Sequence, residues 1–298
     1  MTGAHCIGAV VSRSRGHLFT VHVPQTMATP RRPAKAGISW TFDELDAYKI
    51  RIKTVDIQEF FSISQLPAPA VAPEILQNVN ISSLPDDICL FFRRLDDSTS
   101  KDPGDVDEFT FHILNDIMQF QGPRGITHTR TTFFFIMSGQ RVRAVANLSL
   151  RRGDYQSILV QRDRVSLSLF PCCRASLTAC EHIRKTSRDR VEPRLVASAL
   201  GAFSKDNDTR AANALAPLAS KRYIGIITIA SAHYFYKINI TQALVDAVMN
   251  SQVPAQETIV ERLIPPVPNV DDFLRDGMVP LDNRLACLQC YEAIRGLL

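Results

Sequence analysis

The chain of 298 residues lacks the short motifs of several common enzyme classes. It has no G-x-G-x-x-G or P-loop sequence for nucleotide phosphates, no G-x-S-x-G for a nucleophilic serine and no H-E-x-x-H for zinc. No apolar run approaches the roughly 20 residues that a bilayer-spanning helix needs, so we expect no membrane segment. Hydrophobic residues still make up 45% of the chain, enough for a sizeable core.

Acidic residues are absent from the first 37 positions, which carry arginine, lysine, serine and proline instead. An acid-poor, arginine- and serine-bearing N-terminus is typical of a mitochondrial transit peptide. The alternatives are a disordered tail and a true start at Met27. In each case, residues 1–37 are excluded from the fold prediction.

Cysteine is present in an odd number, seven, and no secretory signal precedes it. This favours a reducing compartment and an intracellular protein, in the cytoplasm or the nucleus. Cys287 and Cys290 form one C-x-x-C on a predicted helix, where the i, i+3 spacing also serves packing. A structural zinc site usually needs a second well-spaced pair, so we predict buried thiols and no metal.

Hydrophobic periodicity is strongest in the middle of the chain. It predicts, in order, a helix over 107–120, strands over 131–137, 141–150 and 157–164, a helix over 192–203, a hairpin over 223–240 and a helix from Thr241. The prediction is an α/β fold with a mixed central sheet flanked by helices. Its parts are a tail (1–37), an N-terminal extension (38–105), a core (106–252) and a proline-rich C-terminal tail with a helix (253–298).

One segment interrupts the predicted core. Residues 165–188 show no periodicity and hold three of the seven cysteines, so we predict an irregular insertion. A surface loop and, for 165–183, a retained intron are the two explanations.

Four stretches between Trp40 and Gly201 carry a family resemblance: W-T-x-x-x-L-D-A-Y-x-I at 40–50, a strand ending in Gly139, the run 158–164 and the Glu192-Pro193 helix. Together they resemble a family of uncharacterised fungal proteins, mainly from basidiomycetes, with a core like that of the PD-(D/E)XK nucleases. The order helix, three strands, helix, strands is the order of that core, which gives a restriction-endonuclease-like fold as the expectation.

The resemblance implies a metal site that this sequence does not complete. In the nuclease core, an aspartate on one strand and a glutamate two residues before a lysine on the next hold Mg²⁺, which activates water. Here the three positions fall on Asn147, Arg162 and Arg164. Because a guanidinium repels a cation at close range, we expect a catalytically degenerate protein without a cofactor.

The partner is left open between a nucleic acid and a protein, and the oligomeric state is not predicted. The net charge of +4 permits contact with a polyanion, and Arg141, Arg143, Arg151 and Arg152 form a candidate nucleic-acid surface.

Two other readings of function remain. The first is an active Mg²⁺-dependent nuclease whose site is rebuilt from Asp154, Asp163 and Glu192. The second is a structural or interaction protein, or a decaying gene copy.

Overall fold

The central feature of the fold is a mixed β-sheet. The computed structural model describes residues 32–77, 84–99, 102–122, 125–162 and 177–298, with the backbone alone for residues 103 and 177–189. In these ranges seven strands form one sheet. They are β1 (Ile50–Val55), β2 (Gly125–Met137), β3 (Gln140–Arg152), β4 (Tyr155–Arg162), β5 (Ser220–Ile229), β6 (Ala232–Thr241) and β7 (Thr258–Leu263).

The strands lie in the order β1-β7-β6-β5-β4-β3-β2. Strands β2, β3 and β4 form an antiparallel meander, and β5, β6 and β7 form another. The two meanders join through the parallel pair β4–β5, and β1 adds to β7 in parallel. The predicted mixed sheet flanked by helices is therefore confirmed.

Eight α-helices lie in the described ranges: α1 (Phe42–Ala47), α2 (Ile57–Phe61), α3 (Asp86–Asp97), α4 (Pro103–His112), α5 (Leu177–Ala212), α6 (Gln242–Asn250), α7 (Val270–Asp276) and α8 (Leu281–Arg295). A π-helical turn over Ile113–Ile117 continues α4. Several helices begin at polar caps that satisfy free backbone amides. Asp56 accepts from Glu59 N at 2.8 Å, and Asp102 accepts from Gly104 N at 2.7 Å.

Helices α4 and α5 cover opposite faces of the sheet. Gly201 of α5 approaches Phe133 so closely that a Cβ on it would lie 2.6 Å from the Phe133 Cβ. Phe133 pairs with Ala144 across β2 and β3, so Ala144 shares the α5 face. Strand alternation then places Asn147 on the other face, where it meets Asp107 of α4.

The β2–β3 hairpin turns at Ser138-Gly139, as its sequence predicts. Both residues have positive φ, 53° and 79°, which suits a tight turn whose twist matches that of its strands. Their amides donate to the carbonyls of Val248 and Met249 at 3.0 and 2.9 Å. The turn therefore caps the end of α6, and these two hydrogen bonds fix the tip of the β2–β3 hairpin.

The second predicted helix is much longer than its periodic stretch. Instead of 192–203, α5 covers Leu177–Ala212, so the segment predicted as an irregular insertion is helical from Leu177 onward. Pro193 lies inside this helix rather than near its start, although proline cannot donate the i to i−4 hydrogen bond. Residues 163–176, which include half of the proposed insertion and most of the proposed intron, lie outside the described residues.

The segments on either side of the predicted core contribute to the sheet. Strand β1 comes from the N-terminal extension, and β7, which was not predicted, comes from the proline-rich tail. They pair from Ile50–Thr258 to Val55–Leu263. The C-terminal helix α8 is buried along much of its length.

A buried carboxylate ties α5 to the sheet. Asp206 accepts hydrogen bonds from Gln156 N at 3.1 Å, Lys221 Nζ at 2.6 Å and Tyr223 OH at 2.8 Å. Burial lowers the pKa of Lys221 and raises the pKa of Tyr223. The cluster is structural, since its carboxylate is fully occupied.

The C-x-x-C lies in a second buried cluster, between α8 and β6. Cys287 and Cys290 are free thiols in the core, and burial raises the pKa of both. Beside them, His233 Nδ1 lies 2.7 Å from Tyr291 OH. Complete burial lowers the pKa of His233 to about 3.

The His233 environment predicts a loss of stability in acid. The unfolded histidine keeps its ordinary pKa of about 6.5, so below that pH the unfolded state binds a proton that the folded state refuses. The free energy of unfolding should fall by up to about 1.4 kcal/mol per pH unit between about pH 6 and pH 3 from this group alone. Urea unfolding at several pH values measures the slope.

A His233→Phe variant should show a shallower pH slope, even if it is less stable because Tyr291 loses its partner. His128→Gln, on β2 at a partly exposed position, is the matched control and should keep the wild-type slope. Equal slopes for wild type and His233→Phe would contradict the assignment.

Candidate functional site

The candidate site lies where β3 and β4 separate. Their backbone pairing ends at Leu148–Val160, and side chains bridge the strands beyond it. Gln161 Nε2 donates to the carbonyl of Val145 at 2.6 Å and to Ser198 Oγ of α5 at 2.8 Å. Asn147 Oδ1 accepts from the amide of Arg162 at 3.1 Å. The side chain of Asn147 therefore links β3 to the backbone of β4. A carboxylate at this position could make the same link, but the oxygen that accepted from the amide would be less available to a metal ion.

Asp107 of α4 completes the site. Its Oδ2 lies 2.9 Å from Arg162 Nη1 and accepts from Asn147 Nδ2 at 3.4 Å. The two ion-pair partners are only 21% and 12% exposed. Burial raises the pKa of Asp107, and the positive charges of Arg162 and Arg130, with the Asn147 hydrogen bond, oppose this shift.

A cavity of about 60 Å³ opens beside these residues. Asn147, Gln161, Arg162 and Val145 line it together with Arg194 of α5 and the turn at Gly37–Ser39. Ligand pockets usually measure about 300 Å³ or more, so this cavity has room for waters or a very small ion only. Two guanidinium groups on its wall favour an anion over a cation.

The glycine at the start of that turn is needed for the site's shape. A Cβ on Gly37 would lie 2.7 Å from Ala144 Cβ and 3.1 Å from Ala197 Cβ. A larger residue would push the turn away from β3 and α5. The close approach therefore fixes the wall of the cavity.

The structure brings together two of the three degenerate motif positions, Asn147 and Arg162, through their contacts with each other and with Asp107. Arg164, the third position, lies outside the described residues, and so does Asp163. Whether Arg164 joins the site stays a prediction.

The other acids proposed for a rebuilt catalytic site lie elsewhere. Asp154 is exposed in the β3–β4 turn, at the opposite end of β4 from Arg162 and roughly 26 Å away at 3.3 Å per residue. Glu192 is buried on α5, where its Oε1 accepts from Tyr236 OH and Arg262 Nη1, both at 2.8 Å. Neither carboxylate is placed beside the Asn147–Arg162 pair, since Glu192 is held by Tyr236 and Arg262 and Asp154 lies in the turn.

The metal that the resemblance implies does not fit these residues. Asp107 contacts both Asn147 and Arg162, and the Arg162 guanidinium already occupies its carboxylate. In the described ranges, no group of three or more His, Cys, Asp or Glu side chains is arranged to hold a metal ion. Magnesium prefers several oxygen ligands with net negative charge, which this arrangement lacks.

The four arginines of the predicted nucleic-acid surface fall into two groups. Arg141 and Arg143 are exposed near the tip of the β2–β3 hairpin, and Arg151 and Arg152 are half-buried at the far end of β3. Eight residues of extended strand, roughly 26 Å, separate Arg143 from Arg151. The structure therefore gives two basic patches rather than one continuous surface.

Sequence reasoning did not find Asp107, Gln161, Ser198 or Arg194. A signal for Asp107 was present, because Asp107, Thr110 and Leu114 fall on one helical stripe and the last two are fully buried. The periodicity of α4 therefore places Asp107 on the sheet-facing side. The roles of Gln161 and Ser198 depend on the separation of β3 from β4, which no local sequence pattern predicts.

Comparison with protein families and with curated proteins found no match to this chain. None of the helices in the described ranges is both long and apolar enough to cross a membrane.

The partly buried Asp107–Arg162 pair predicts measurable coupling. Asp107→Ala and Arg162→Ala should each lower the free energy of unfolding by about 1–3 kcal/mol, because each removes one half of a partly buried ion pair. The double variant should lose less than the sum, by about 1 kcal/mol or more. Urea unfolding of the four proteins gives this coupling energy.

The exposed pair Arg51–Glu257, 2.9 Å apart, is the matched control. Its double-mutant cycle should give a coupling below about 0.5 kcal/mol. A coupling at Asp107–Arg162 no larger than that of the control pair would contradict the role given to this contact.

Proposed function

We propose that this chain is a nuclease-like protein that does not hydrolyse phosphodiesters and that binds nucleic acid without cutting it. The observation that carries the proposal is the Arg162 guanidinium, 2.9 Å from the carboxylate of Asp107, at a position where the nuclease core would hold a cation.

The order of elements supports a relationship to that core. Helix α4 precedes the three antiparallel strands β2, β3 and β4, and α5 leads into β5, which lies parallel to β4. Helices on both faces of this sheet agree with the expected restriction-endonuclease-like arrangement. Because a fold does not fix a function, the residues at the site decide the proposal.

Electrostatics argues against a divalent cation at this position. A unit positive charge about 4 Å from a divalent cation costs roughly 8 kcal/mol at an effective dielectric of 20. A metal site of millimolar affinity supplies only about 4 kcal/mol. Taken alone, the repulsion from Arg162 exceeds the binding energy of an ordinary weak Mg²⁺ site. Asp107 offsets much of it, but the ion pair is then left with no net negative charge to hold a cation, even before Arg194 is considered.

Charge on the neighbouring strands supports a polyanionic partner. Strands β2 and β3 together carry five arginines and no aspartate or glutamate. Lysine and arginine contacts to phosphates supply most of the affinity of non-specific nucleic-acid binding. The charge of these two strands therefore suits a nucleic acid better than it suits a metal cation.

The proposal predicts that the protein has no metal-dependent nuclease activity. Purified protein incubated with single- and double-stranded DNA and RNA, with Mg²⁺ or Mn²⁺, should give no cleavage above a buffer control. An Asp107→Ala preparation serves to detect contaminating nuclease, which would remain unchanged. Metal-dependent cleavage that disappears in Asp154→Ala or Asp163→Ala would favour the rebuilt active site instead.

Placing carboxylates at the two motif positions should create a metal site. The combined substitutions Asn147→Asp and Arg162→Glu would place two further carboxylates beside Asp107, so Mn²⁺ should raise the melting temperature of this variant. Stabilisation of about 2.7 kcal/mol is expected at a metal concentration 100 times the dissociation constant.

The neutral combination of Asn147→Gln and Arg162→Gln is the matched control and should melt at the same temperature with and without Mn²⁺. Wild-type protein should behave like this control. Equal stabilisation of all three proteins by Mn²⁺ would show that the metal binds elsewhere. That result would contradict the proposal that Asn147 and Arg162 stand at a lost metal site.

A further inference from the structure

One face of the β2–β3 hairpin exposes aromatic, aliphatic and cationic side chains together. Phe134 pairs with Arg143 and Ile136 pairs with Arg141 across the two strands. Phe134 and Ile136 are 41% and 36% exposed, and the guanidinium carbon of Arg141 lies 4.0 Å from the centre of the Phe134 ring. We call these four residues the ribbon face.

The ribbon face lies opposite the packed side of the hairpin. The alternating residues Phe133 and Phe135 are buried, the first beneath α5 and the second against Trp40 at 5.8 Å between ring centres. On the exposed side, α4 reaches the ribbon as far as Asn147. Two large apolar side chains are thus left accessible beside two arginines.

The composition of this face fits one kind of polyanion best. Unpaired bases stack on exposed aromatic rings and on arginine guanidinium planes, while arginines contact the phosphates between them. The bases of a duplex are already stacked and present phosphates and sugars to a flat surface, which would leave Phe134 and Ile136 against polar groups. The combination therefore favours a single strand over a duplex.

The direction of the ribbon links this face to the candidate site. From Arg143 to Asn147, alternate residues of β3 share one face, so Arg143 is followed by Val145 and then Asn147, both of which line the small cavity. A strand bound along the ribbon face would run toward the Asp107–Arg162 pair, which offers it no metal.

We propose that the ribbon face binds single-stranded nucleic acid, with a base stacked on the Phe134–Arg141 pair and phosphates held by Arg143. This inference rests on the proposed function and specifies its substrate class. It goes beyond charge alone, because a stacking residue gives binding a component that salt does not remove.

Fluorescence anisotropy tests the inference with labelled oligothymidylate, oligouridylate and a DNA duplex of the same length, at several salt concentrations. The wild-type protein should bind both single strands at least about tenfold more tightly than the duplex. Phe134→Ala should weaken single-strand binding by about tenfold or more, as expected for the loss of one stacked base. Phe134→Tyr should restore it, since tyrosine also stacks.

Arg143→Gln should reduce the slope of the logarithm of the binding constant against the logarithm of salt concentration by about 0.7, as expected for one lost phosphate contact. The controls are Ile259→Ala, an exposed apolar residue on β7, and Arg222→Gln, an exposed arginine on β5. Both should bind like the wild type, and melting curves should show that all variants fold.

The outcomes separate this inference from the proposed function. Equal affinity for single strand and duplex, with no effect of Phe134→Ala, would overturn the ribbon face as a single-strand site and leave nucleic-acid binding intact. No binding of any oligonucleotide at low salt would overturn both. A dimer in sedimentation experiments that Phe134→Ala converts to a monomer would identify the face as a contact between two copies of the chain, and would also overturn the inference.

Discussion

The ion pair between Arg162 and Asp107 is the constraint on which the site depends. It joins the end of β4 to α4 at the point where β3 and β4 stop pairing, and Asn147 contacts both partners. The pair satisfies a partly buried carboxylate that burial would otherwise protonate more easily. The same contact places a permanent positive charge where a hydrolytic metal would need a negative one.

Other buried carboxylates follow the same arrangement. Asp206 faces Lys221, Glu192 faces Arg262 and Glu44 faces Lys35. Each carboxylate is matched to a cation that is more exposed than itself, and the Glu192–Arg262 pair joins α5 to β7 across 70 positions. Carboxylates in this part of the molecule therefore act as structural links, because a metal needs oxygens that are not already neutralised.

The sequence predicted the elements whose pattern is local. Strand β3 alternates clearly, β4 carries the apolar run 158–160, the Ser138-Gly139 turn needs positive φ, and apolar residues alternate on both arms of the β5–β6 hairpin. Strand β7 escaped prediction because TIVERL lies between prolines and owes its place to pairing with β1 and β6. The full length of α5 was missed because its first turns show no apolar periodicity.

The site was predictable in part. The expectation that Asn147 and Arg162 stand where the resemblance implies carboxylates came from the sequence alone, and so did the repulsion expected from it. The ion-pair partner of Arg162 was not predicted, because Asp107 lies 55 positions earlier in the sequence, on helix α4. The ribbon face also depended on the structure, since only the strand register shows that Phe134 and Arg143 are neighbours.

The most direct test of the central claim is paramagnetic broadening of NMR signals by Mn²⁺. The Arg162 guanidinium and the Asn147 side-chain amide stand where the proposed nuclease-like core would hold a cation. We predict that their signals keep their intensity as Mn²⁺ is added to the wild-type protein. Selective loss of these two signals at low Mn²⁺ concentration would place a cation between β3 and β4 and contradict the account.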